Sequence, residues 1–444
     1  GFGFVLKGQI NEFGYQSMTS PMTLQAFNTA LQRHGTMSLG QILQPAIDYC
    51  INGFAVRPRV LGFWLQPAQA GRIERVAVVN KLDAARKIYL GEDGALLNVG
   101  DILKNQDMGR LYQRFASEGI GIFYDGDVAD LIAADMKANG GLLTRDDLVD
   151  CAPTDLPPLI GKYRGFDVAT NQLPGGGLMI LEMLNILEHF DLAAMGHNSA
   201  QYIATVAEAM KYATIDKDQF MGDPNFIDVP QDLLASKARA AEFVAKIRAG
   251  EKADIVRLNS GAPESKDTTH LVVADSAGNV VNVTHSLGSS SGVITDGLGF
   301  MYNNCMMVFD PRPGHVGSLA PGKARFTAMC PTILSKDEKP FLALGAPGGT
   351  TITMGVLQTI LNVVDFRMSA QDAVSAPRFC ATSNVIELTN RILRGVERDL
   401  NQDGYVTRRY AASYITPILH AIRLQDGKLD GGADPAGDGM AASC

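Results

Sequence analysis

Two short motifs in the second half of the sequence hold groups that could act in acyl-transfer chemistry. The first, Lys266-Asp267-Thr268-Thr269-His270, stands directly before an apolar run with the composition of a strand. An internal threonine hydroxyl is a weak nucleophile, because no base lies beside it. A cut between Asp267 and Thr268 would create an α-amine with a reference pKa of about 7.7–8.0, which could accept the hydroxyl proton. Thr268 is therefore a candidate nucleophile in a cleaved chain, whereas in an uncut chain the motif is an ordinary strand start.

The second motif, Gly345-Ala346-Pro347-Gly348-Gly349-Thr350, lies at a predicted strand-to-helix junction. Two adjacent glycines there allow backbone N–H groups to converge on an anion, as in an oxyanion hole. A plain tight turn needs the same residues, and the motif alone favours that simpler interpretation. A phosphate-binding loop of the GxxxxGK[ST] type is excluded because its lysine is absent.

Other common catalytic and metal-binding motifs are absent from the sequence. The seven histidines show no HExxH spacing, the six cysteines form no CxxC pair, and no GxSxG elbow occurs. The segment from Asp399 to Gly404 has the start of a calcium loop, but Tyr410 stands at the twelfth position, where a bidentate Glu is required. We therefore predict neither a metal nor a cofactor, and we expect the cysteines to be free thiols.

The composition excludes several classes of protein. The 444 residues include 39 Lys+Arg against 47 Asp+Glu, which gives a net charge of −8, and 46% of them are hydrophobic. A nucleic-acid binder would show a basic excess, and a disordered chain would be less apolar. No run of about 18 apolar residues is free of charges, so we predict no membrane span. No signal peptide is visible, which leaves localisation open between cytoplasm and periplasm.

The elements that must position the two motifs change character near residue 268. Up to about residue 260 the pattern predicts mainly helices joined by short turns. They include Thr23–Arg33, a helix capped by Ser38 and Gln41, Met108–Ser117, Asp127–Ala138 and the apolar Leu178–Phe190. From Thr268 to Ser286 we predict a β-hairpin, followed by strands at Thr332–Leu334 and Phe341–Gly345 and a helix at Met354–Val364. This order favours sheets packed between helical layers.

Together, these motifs resemble the γ-glutamyltransferase (γ-glutamyltranspeptidase) family. The specific matches are Asp267-Thr268-Thr269-His270, Asn303-Asn304, Met329-Cys330-Pro331-Thr332 and Pro347-Gly348-Gly349. Weaker matches follow in the family's order over nearly the whole chain, at Gly141–Leu148, Pro174–Gly177, Gly222–Pro224 and Ala376–Phe379.

The resemblance implies an N-terminal nucleophile hydrolase of the α+β class, a four-layer αββα sandwich. Its precursor would cut itself between Asp267 and Thr268 into a large segment, 1–267, and a small segment, 268–444, which stay together as one domain. Carried over to this chain, Thr268 is the nucleophile, Ser286 a supporting hydroxyl, and Gly348 and Gly349 the oxyanion-hole donors. No arginine precedes Arg33, so we expect the family's first segment, with its carboxylate-binding arginine, to lie outside this sequence.

The resemblance implies substrate-binding positions at Thr269, Gly288, Asn304, Cys305, Val308, Thr327 and Ala328. All of these except Thr269 and Asn304 depart from the family's pattern. The family holds the glutamyl ammonium with an acidic residue and a Gln, where this chain has Cys305 and Val308. An ammonium ion buried against Val308 would be unpaired, which is unfavourable. Thr327 and Ala328 replace two carboxylate-binding serines, and Gly288 replaces an Asn.

We therefore predict an amidohydrolase or acylase whose acyl group lacks a glutamyl-type ammonium, similar to cephalosporin acylases and oxamate amidohydrolase. Arg325 could anchor a small acid, although a solvated arginine is the simpler interpretation. Gly175-Gly176-Gly177 is expected to bring backbone close to substrate. Two alternatives stay open, namely a true γ-glutamyltransferase or glutathione hydrolase, and an uncut, non-catalytic binding protein. The expected partners are a small amide substrate and the chain's own second cleavage product, with further dimerisation left open and neither nucleic acid nor membrane involved.

Overall fold

The computed structural model describes residues 4, 6–65, 74–80, 82–256, 268–415, 417–425 and 427–443. The chain divides into two compact units. The helical unit comprises Phe4–Asp155 and Leu287–Met307, and the sheet unit comprises Leu156–Ser286 and Val308–Cys444. The predicted cut after Asp267 falls inside the sheet unit, and Asp267 itself lies outside the described residues.

The helical unit consists of short helices and one pair of very short strands. Its helices are α1 Thr23–His34, α2 Leu39–Asn52, α3 Pro58–Trp64, α4 Arg75–Val79, α5 Asp83–Tyr89, α6 Gln106–Glu118, α7 Gly121–Asp125, α8 Asp127–Ala138 and α9 Arg145–Val149, and its strands are β1 Phe54–Ala55 and β2 Ile102–Leu103. The predicted capping box at the start of α2 is present, since the Ser38 and Gln41 side chains bond each other's backbone N–H groups. The predicted helix over Asp127–Ala138 is confirmed as α8.

The sheet unit contains the remaining helices and strands. Its helices are α10 Gly177–Leu187, α11 Leu192–Met195, α12 Ala200–Phe220, α13 Gln231–Leu234, α14 Lys237–Arg248, α15 Ile352–Val364, α16 Ala370–Ser375 and α17 Arg394–Gln402. Its strands are β3 Leu159–Tyr163, β4 Phe166–Thr170, β5 Thr268–Ala274, β6 Val280–Ser286, β7 Thr332–Lys336, β8 Lys339–Gly345, β9 Phe379–Cys380, β10 Val385–Leu388, β11 Val406–Arg409, β12 His420–Gln425 and β13 Lys428–Ala433. Three-residue and four-residue 3-10 helices occur at Lys7–Gln9, Cys305–Val308 and Gly349–Thr351.

Within the sheet unit, helices cover one face of an antiparallel sheet and a hairpin covers the other. The sheet has six strands in the order β13-β12-β8-β7-β4-β3. Successive side chains of a strand point to opposite faces. Leu342 and Leu344 of β8 belong to the core formed with α10 and α15, whereas a side chain at Gly345 would point at His270 of the β5–β6 hairpin. The layers are therefore helices, sheet and hairpin.

Helix α10 forms the centre of the helical layer. All eleven of its residues are buried, which confirms the predicted buried helix with slightly different bounds. It packs against β3, α12, α14 and α15. Each fully buried Leu or Ile side chain contributes about 1.5–3 kcal/mol relative to exposure, so this helix is a main source of the unit's stability.

The region before residue 260 is mainly helical, as predicted, but two of its strands are not part of the prediction. These strands, β3 and β4, complete the six-stranded sheet. They are joined by Arg164 and Gly165, which have φ of 52° and 82°. A hairpin turn with two positive φ values usually carries Asn or Gly at both positions. An arginine in this place gives no turn signal, so two five-residue strands were missed.

None of the helices in the described part of the chain combines the length and the apolar character that crossing a membrane requires.

Candidate active site

The β5–β6 hairpin brings the candidate nucleophile next to its predicted supporting hydroxyl. The strands are antiparallel, with Thr268 directly opposite Ser286. Directly opposed residues share one face of a sheet, so their side chains meet. The Oγ1 atom of Thr268 and the Oγ atom of Ser286 are 2.8 Å apart, a hydrogen bond in which either hydroxyl can donate. Both residues are half-buried. The predicted hairpin from Thr268 to Ser286 is confirmed by this register.

The same face of the hairpin carries a second polar pair. His270 lies opposite Thr284, and its Nδ1 atom is 2.7 Å from the Thr284 hydroxyl. Thr269, by contrast, is exposed on the other face of β5. Its side chain therefore does not join the Thr268–Ser286 pair, and its predicted contact with substrate stays a prediction.

His270 packs against the sheet next to the glycine motif. The ring stacks beside that of His420 with centroids 6.4 Å apart and an interplanar angle of 11°, and His420 is the β12 partner of Gly345. Burial, reinforced by the neighbouring His420, lowers the pKa of His270 to about 3. Its Nε2 atom is buried and has no hydrogen-bond partner among the residues that the structure describes. The imidazole is therefore neutral near pH 7.

Successive pairs of the hairpin advance along β8 towards the glycine motif. The side-chain amide of Asn282 donates to the carbonyl oxygens of Thr332 (2.9 Å) and Leu344 (3.0 Å). The next pair, which holds His270, lies over Gly345. We infer that the following pair, Thr268–Ser286, faces the loop that continues from Gly345 to Gly349.

Backbone geometry in this loop requires glycine at two positions. Gly348 has φ of 152° and Gly349 has φ of 61°, values that L side chains rarely adopt. A Cβ on Gly348 would also lie 2.6 Å from Cα of Pro417. Among the described residues, no acceptor takes the N–H of Gly348 or of Gly349. Two free N–H groups at a helix start are what an oxyanion hole needs, and this role remains a prediction.

The predicted substrate residues Thr327 and Ala328 lie in a segment that packs on the Pro174–Gly177 loop. The N–H of Thr327 donates to the Pro174 carbonyl oxygen at 2.8 Å. A Cβ on Gly176 would lie 2.7 Å from the carbonyl oxygen of Ala328. Gly175, Gly176 and Gly177 are all buried against protein atoms, where an added side chain would have no room. The expectation that this backbone approaches substrate stays a prediction.

Arg325 of the sheet unit has no anionic partner among the residues that the structure describes. It is half-buried, and its guanidinium donates one hydrogen bond of 3.3 Å, to the carbonyl oxygen of Phe326. It forms no ion pair with any carboxylate in the described part of the chain. Val308, predicted to replace a substrate-binding Gln, is also half-buried in this unit.

The helical unit holds the three other predicted substrate residues. The Oδ1 atom of Asn304 accepts from the N–H of Ser289 at 2.6 Å, and its amide donates to the carbonyl oxygen of Glu12 at 2.9 Å. Gly288 has φ of 75°, and a Cβ there would overlap Oδ1 of Asn304. Cys305 is buried. There is therefore no room for a side chain at position 288. Asn304 holds the surrounding loop through its hydrogen bonds to Ser289 and Glu12.

Three residues that hold this arrangement together are not identified from the sequence, namely Asn282, Thr284 and His420. Gly345 belongs to the predicted glycine motif, but its contact with His270 is not predicted. Only Asn282 gives a signal, as a carboxamide inside a valine-rich strand.

A threonine at the start of a strand, in a hairpin stacked on a helix-covered sheet, is the arrangement expected of an N-terminal nucleophile hydrolase. A family model described as gamma-glutamyltranspeptidase matches residues 4–444. The acylase ACY 1 proenzyme of Pseudomonas sp. (strain V22) is 36% identical over 437 residues, which are 97% of this chain and 75% of that protein. The glutathione hydrolase proenzyme of Escherichia coli (strain K12) is 34% identical over 396 residues, 84% of this chain and 67% of that protein.

A solved structure agrees with these sequence matches. Cephalosporin acylase from Bacillus halodurans superposes with a TM-score of 0.85 at 26% identity, over 97% of this chain and 79% of that one. The chain therefore belongs to the γ-glutamyltranspeptidase family. It is an α+β enzyme of the hydrolase class with the N-terminal nucleophile hydrolase fold, which confirms the predicted fold and family.

Proposed function

We propose that this chain is a self-processing threonine amidohydrolase that forms its acyl-enzyme on Thr268. The observation that carries the proposal is the 2.8 Å hydrogen bond between the hydroxyls of Thr268 and Ser286. Ser286 holds Oγ1 of Thr268 on the face that points to the sheet, and the loop with two free N–H groups follows the strand beneath it. The proposed nucleophile and its supporting hydroxyl thus come from the β5–β6 hairpin. The proposed oxyanion-hole donors come from the loop that follows β8, the strand on which this hairpin packs.

In self-processing, the Oγ1 atom of Thr268 attacks the carbonyl carbon of Asp267. The C–N bond of the peptide breaks as the C–O bond of an ester forms, and the hydroxyl proton ends on the departing amine. One water molecule then hydrolyses the ester, so that Asp267 gains a carboxyl group and Thr268 regains its hydroxyl. The products are the segments 1–267 and 268–444, which would remain folded together as a heterodimer.

In catalysis, the freed α-amine of Thr268 takes the place of an external base. With a reference pKa of about 7.7–8.0 it is largely able to accept the hydroxyl proton just above neutral pH. Oγ1 attacks the substrate amide, the N–H groups of Gly348 and Gly349 stabilise the oxyanion, and the amine leaves with the proton. Water releases the acyl group as an acid, or a second amine takes it in transfer.

The acyl group is proposed to lack a glutamyl ammonium. Neither Cys305 nor Val308 offers a carboxylate or an amide to hold that cation, and an unpaired buried cation is strongly unfavourable. A half-buried Arg325 that forms no ion pair with any described residue would instead favour an acyl group that carries an anion. The acylase relatives support this choice. The glutathione hydrolase relative, at 34% identity, supports the alternative of γ-glutamyl hydrolysis or transfer.

Intact-mass measurement over time tests the proposal. The uncut chain has a mass of 47.6 kDa, and we expect two fragments whose smaller member begins at Thr268. Thr268→Ala should stay a single chain, while Thr269→Ala, an exposed neighbour on the opposite face of β5, should be cut like the wild type. Cleavage that persists in Thr268→Ala would refute the assignment of the nucleophile, and a permanently uncut wild type would favour a non-catalytic binding protein.

A panel of amides then tests the acyl group. We expect the cleaved enzyme to hydrolyse acyl amides that carry a terminal carboxylate and no ammonium faster than γ-glutamyl amides. Arg325→Gln should raise KM for the anionic substrates and leave neutral ones unchanged. Efficient γ-glutamyl hydrolysis with micromolar KM would contradict the argument from Cys305 and Val308 and would establish the alternative.

A further inference from the structure

Pro417 packs between the glycine motif and α15. This buried residue stands three residues before β12. A Cβ added to Gly348 would lie 2.6 Å from both Cα and Cβ of Pro417. A Cβ added to Gly355 of α15 would overlap Cγ of the same proline. Pro417 therefore fills the side-chain positions of two glycines, one in the motif and one in the helix that follows it.

The contact with Pro417 explains the glycine inside α15. Gly355 is the fourth residue of this helix and is buried, with a helical backbone that any residue can adopt. Glycine inside a helix is less favourable than alanine, because it loses more backbone freedom on folding. The close approach of the proline ring therefore accounts for a glycine that the helix itself does not require.

A buried ion pair holds Pro417 from the other side. Its carbonyl oxygen accepts from Nη2 of Arg378 at 3.0 Å. The same guanidinium is 2.6 Å from Oδ2 of Asp434, which also accepts from the N–H of Leu419 at 3.1 Å. Arg378 and Asp434 are only 3% and 1% exposed. Because hydrogen bonds between charged groups are strong, Pro417 cannot retreat from Gly348 without disturbing this pair. All of these residues belong to the sheet unit.

The residue after Pro417 fixes the direction of the Gly348 N–H group. Ile418 donates its N–H to the carbonyl oxygen of Pro347 at 2.9 Å. That carbonyl and the N–H of Gly348 belong to one trans peptide, in which the two groups lie in a plane and point in opposite directions. The hydrogen bond therefore directs the Gly348 N–H away from Ile418. The next peptide is also held, since the Gly348 carbonyl oxygen accepts from the Thr351 hydroxyl at 2.8 Å.

We propose that Pro417 is a positioning residue for the proposed oxyanion hole, because it supports the peptide that carries the Gly348 N–H group. This inference rests on the proposed function. Proline has no N–H of its own to offer an oxyanion, and its ring is stiff. Donors stabilise a developing oxyanion best when they are oriented before the charge appears. Pro417 and Ile418 supply that orientation through a close contact and a hydrogen bond.

Gly355→Ala is the variant that disturbs this support. The added methyl group overlaps Cγ of Pro417, and because the ion pair restrains the far side of the proline, the displacement passes to Gly348. We expect kcat to fall by about tenfold or more. The change in KM should be much smaller, because the acyl-binding residues proposed above take no part in this contact. Alanine favours a helix more than glycine does, which offsets part of the loss of stability.

Pro417→Ala provides the compensating change. It removes Cγ and Cδ but keeps the Cα and Cβ atoms that lie against Gly348. In the double variant, the methyl group at position 355 enters the vacated space, and its distance of 3.4 Å from Cβ of residue 417 is an ordinary contact. The double variant should therefore recover most of the lost kcat. Pro417→Ala alone leaves a gap beside Gly355 and should show a smaller fall in kcat than Gly355→Ala.

Gly109→Ala is the matched control. Gly109 is a buried glycine inside α6, where an added Cβ would lie 2.5 Å from Cδ1 of Ile51. This variant should change the melting temperature and leave kcat unchanged. The measurements on each cleaved enzyme are the melting temperature and the kcat and KM for glutaryl-p-nitroanilide and γ-glutamyl-p-nitroanilide, which differ by the ammonium group. Rates are compared on the amide that the wild type hydrolyses faster.

A fall in kcat in Gly355→Ala at nearly unchanged KM, with recovery in the double variant, supports the inference. A wild-type kcat in Gly355→Ala overturns it, as does a missing recovery or a kcat that follows melting temperature across all variants, including Gly109→Ala. If Gly355→Ala does not fold, Pro417→Ala decides, and a wild-type kcat in that variant overturns the inference. A wild type that hydrolyses neither amide refutes the proposed function, and this inference fails with it.

Discussion

The His270 ring occupies the space that a side chain at position 345 would fill, so Gly345 allows the ring to pack against the sheet. A Cβ built on Gly345 would lie 2.6 Å from Nδ1 of His270, closer than the 3.0 Å that Cβ atoms essentially never breach. His270 follows Thr268 by two residues on β5. Gly345 is the last residue of β8 and precedes Gly348 by three residues. This one contact therefore sets the spacing between the strand of the proposed nucleophile and the strand that leads to the proposed oxyanion donors.

Gly345→Ala should damage catalysis more than stability. The added methyl group pushes the His270 ring, and with it β5, away from the sheet, which moves Thr268 relative to Gly348. We expect kcat to fall by about tenfold or more because small displacements of reacting groups have large effects, and the free energy of unfolding to fall by about 1–3 kcal/mol. Steady-state kinetics and urea unfolding of the cleaved enzyme measure the two quantities.

Gly161→Ala is the control for this prediction. Gly161 lies on β3 of the same sheet and also packs closely against a side chain, since a Cβ there would lie 2.6 Å from Cδ2 of Leu181. It should lose stability without a loss of kcat. Replacing His270 by Ala in the Gly345→Ala chain should recover part of the lost stability, as expected for two residues in contact. Independent, additive effects in this pair would contradict the spacing argument.

Acid should weaken the sheet unit through the histidine pair. The pKa of His270 is lowered to about 3 in the folded chain by burial and by His420, whereas an unfolded histidine has a pKa of about 6.5. Between these values the unfolded state binds the extra proton, so stability is lost as pH falls below about 6.5, by up to about 1.4 kcal/mol per pH unit for this group. The pKa of His420 is also lowered by burial, and the nearby Asp434 partly opposes that shift.

The check is urea unfolding of the uncut Thr268→Ala chain between pH 7.5 and pH 5. His270→Phe, which keeps an aromatic ring over Gly345, should show a shallower decline than its parent. Its absolute stability at pH 7.5 is secondary, because only the slope with pH reports the titration. Equal slopes in the two proteins would assign the acid sensitivity to other groups.

The hairpin could be predicted from sequence because its determinants are local. Both strands are rich in β-branched residues. The segment from Asp275 to Asn279 has turn-forming residues, with Asp275 accepting from the N–H of Ala277 and of Asn279. Once the turn is fixed, the register follows, and Ser286 must face Thr268. The candidate site's central hydrogen bond is therefore a consequence of local sequence.

Contacts between distant segments could not be predicted in this way. Gly345, His270 and His420 lie on three strands that are separated by many residues, and only the stacking of hairpin on sheet brings them together. The same holds for Gly176, whose missing side chain makes room for the Ala328 carbonyl oxygen. A glycine in a sequence shows that something approaches closely, but it does not show whether protein or substrate does so.

Ser286→Ala should slow both self-cleavage and turnover. The alanine removes the only side-chain hydrogen bond that the structure describes for Oγ1 of Thr268, so the nucleophile loses its preferred orientation and a route for its proton. We expect kcat to fall on the order of 10- to 100-fold, with a smaller change in KM because Ser286 does not hold the acyl group. Ser286→Thr keeps a hydroxyl at the same position and should recover much of the rate.

The two readouts for Ser286 are intact-mass time courses and steady-state kinetics on the fully cleaved fraction. A wild-type rate in Ser286→Ala would show that the 2.8 Å contact has no role in catalysis. Thr284→Val serves as a control, because it removes the hydroxyl that contacts His270 one pair further along the hairpin and leaves the Thr268 pair intact.

Because of Glu182, the free energy of unfolding should fall as the pH rises above about 4.5. This carboxyl group is buried in α10, and burial together with the nearby Asp216 raises its pKa well above the usual 4.5. Above pH 4.5 the unfolded state releases a proton that the folded state still holds, so stability falls as pH rises towards the folded pKa, by about 1.4 kcal/mol per pH unit. Glu182→Gln removes this titration. In urea unfolding, the variant should become more stable than the parent by an amount that grows between pH 5 and pH 8.

Glu188→Gln should behave in the opposite sense, because the pKa of Glu188 is lowered. Burial alone would raise this pKa, but the hydrogen bonds from Lys237 and from the N–H of Arg164 outweigh the effect of burial. Its stability deficit should be present at neutral pH and vanish as pH falls through the lowered pKa, and a deficit independent of pH would contradict the ionic origin.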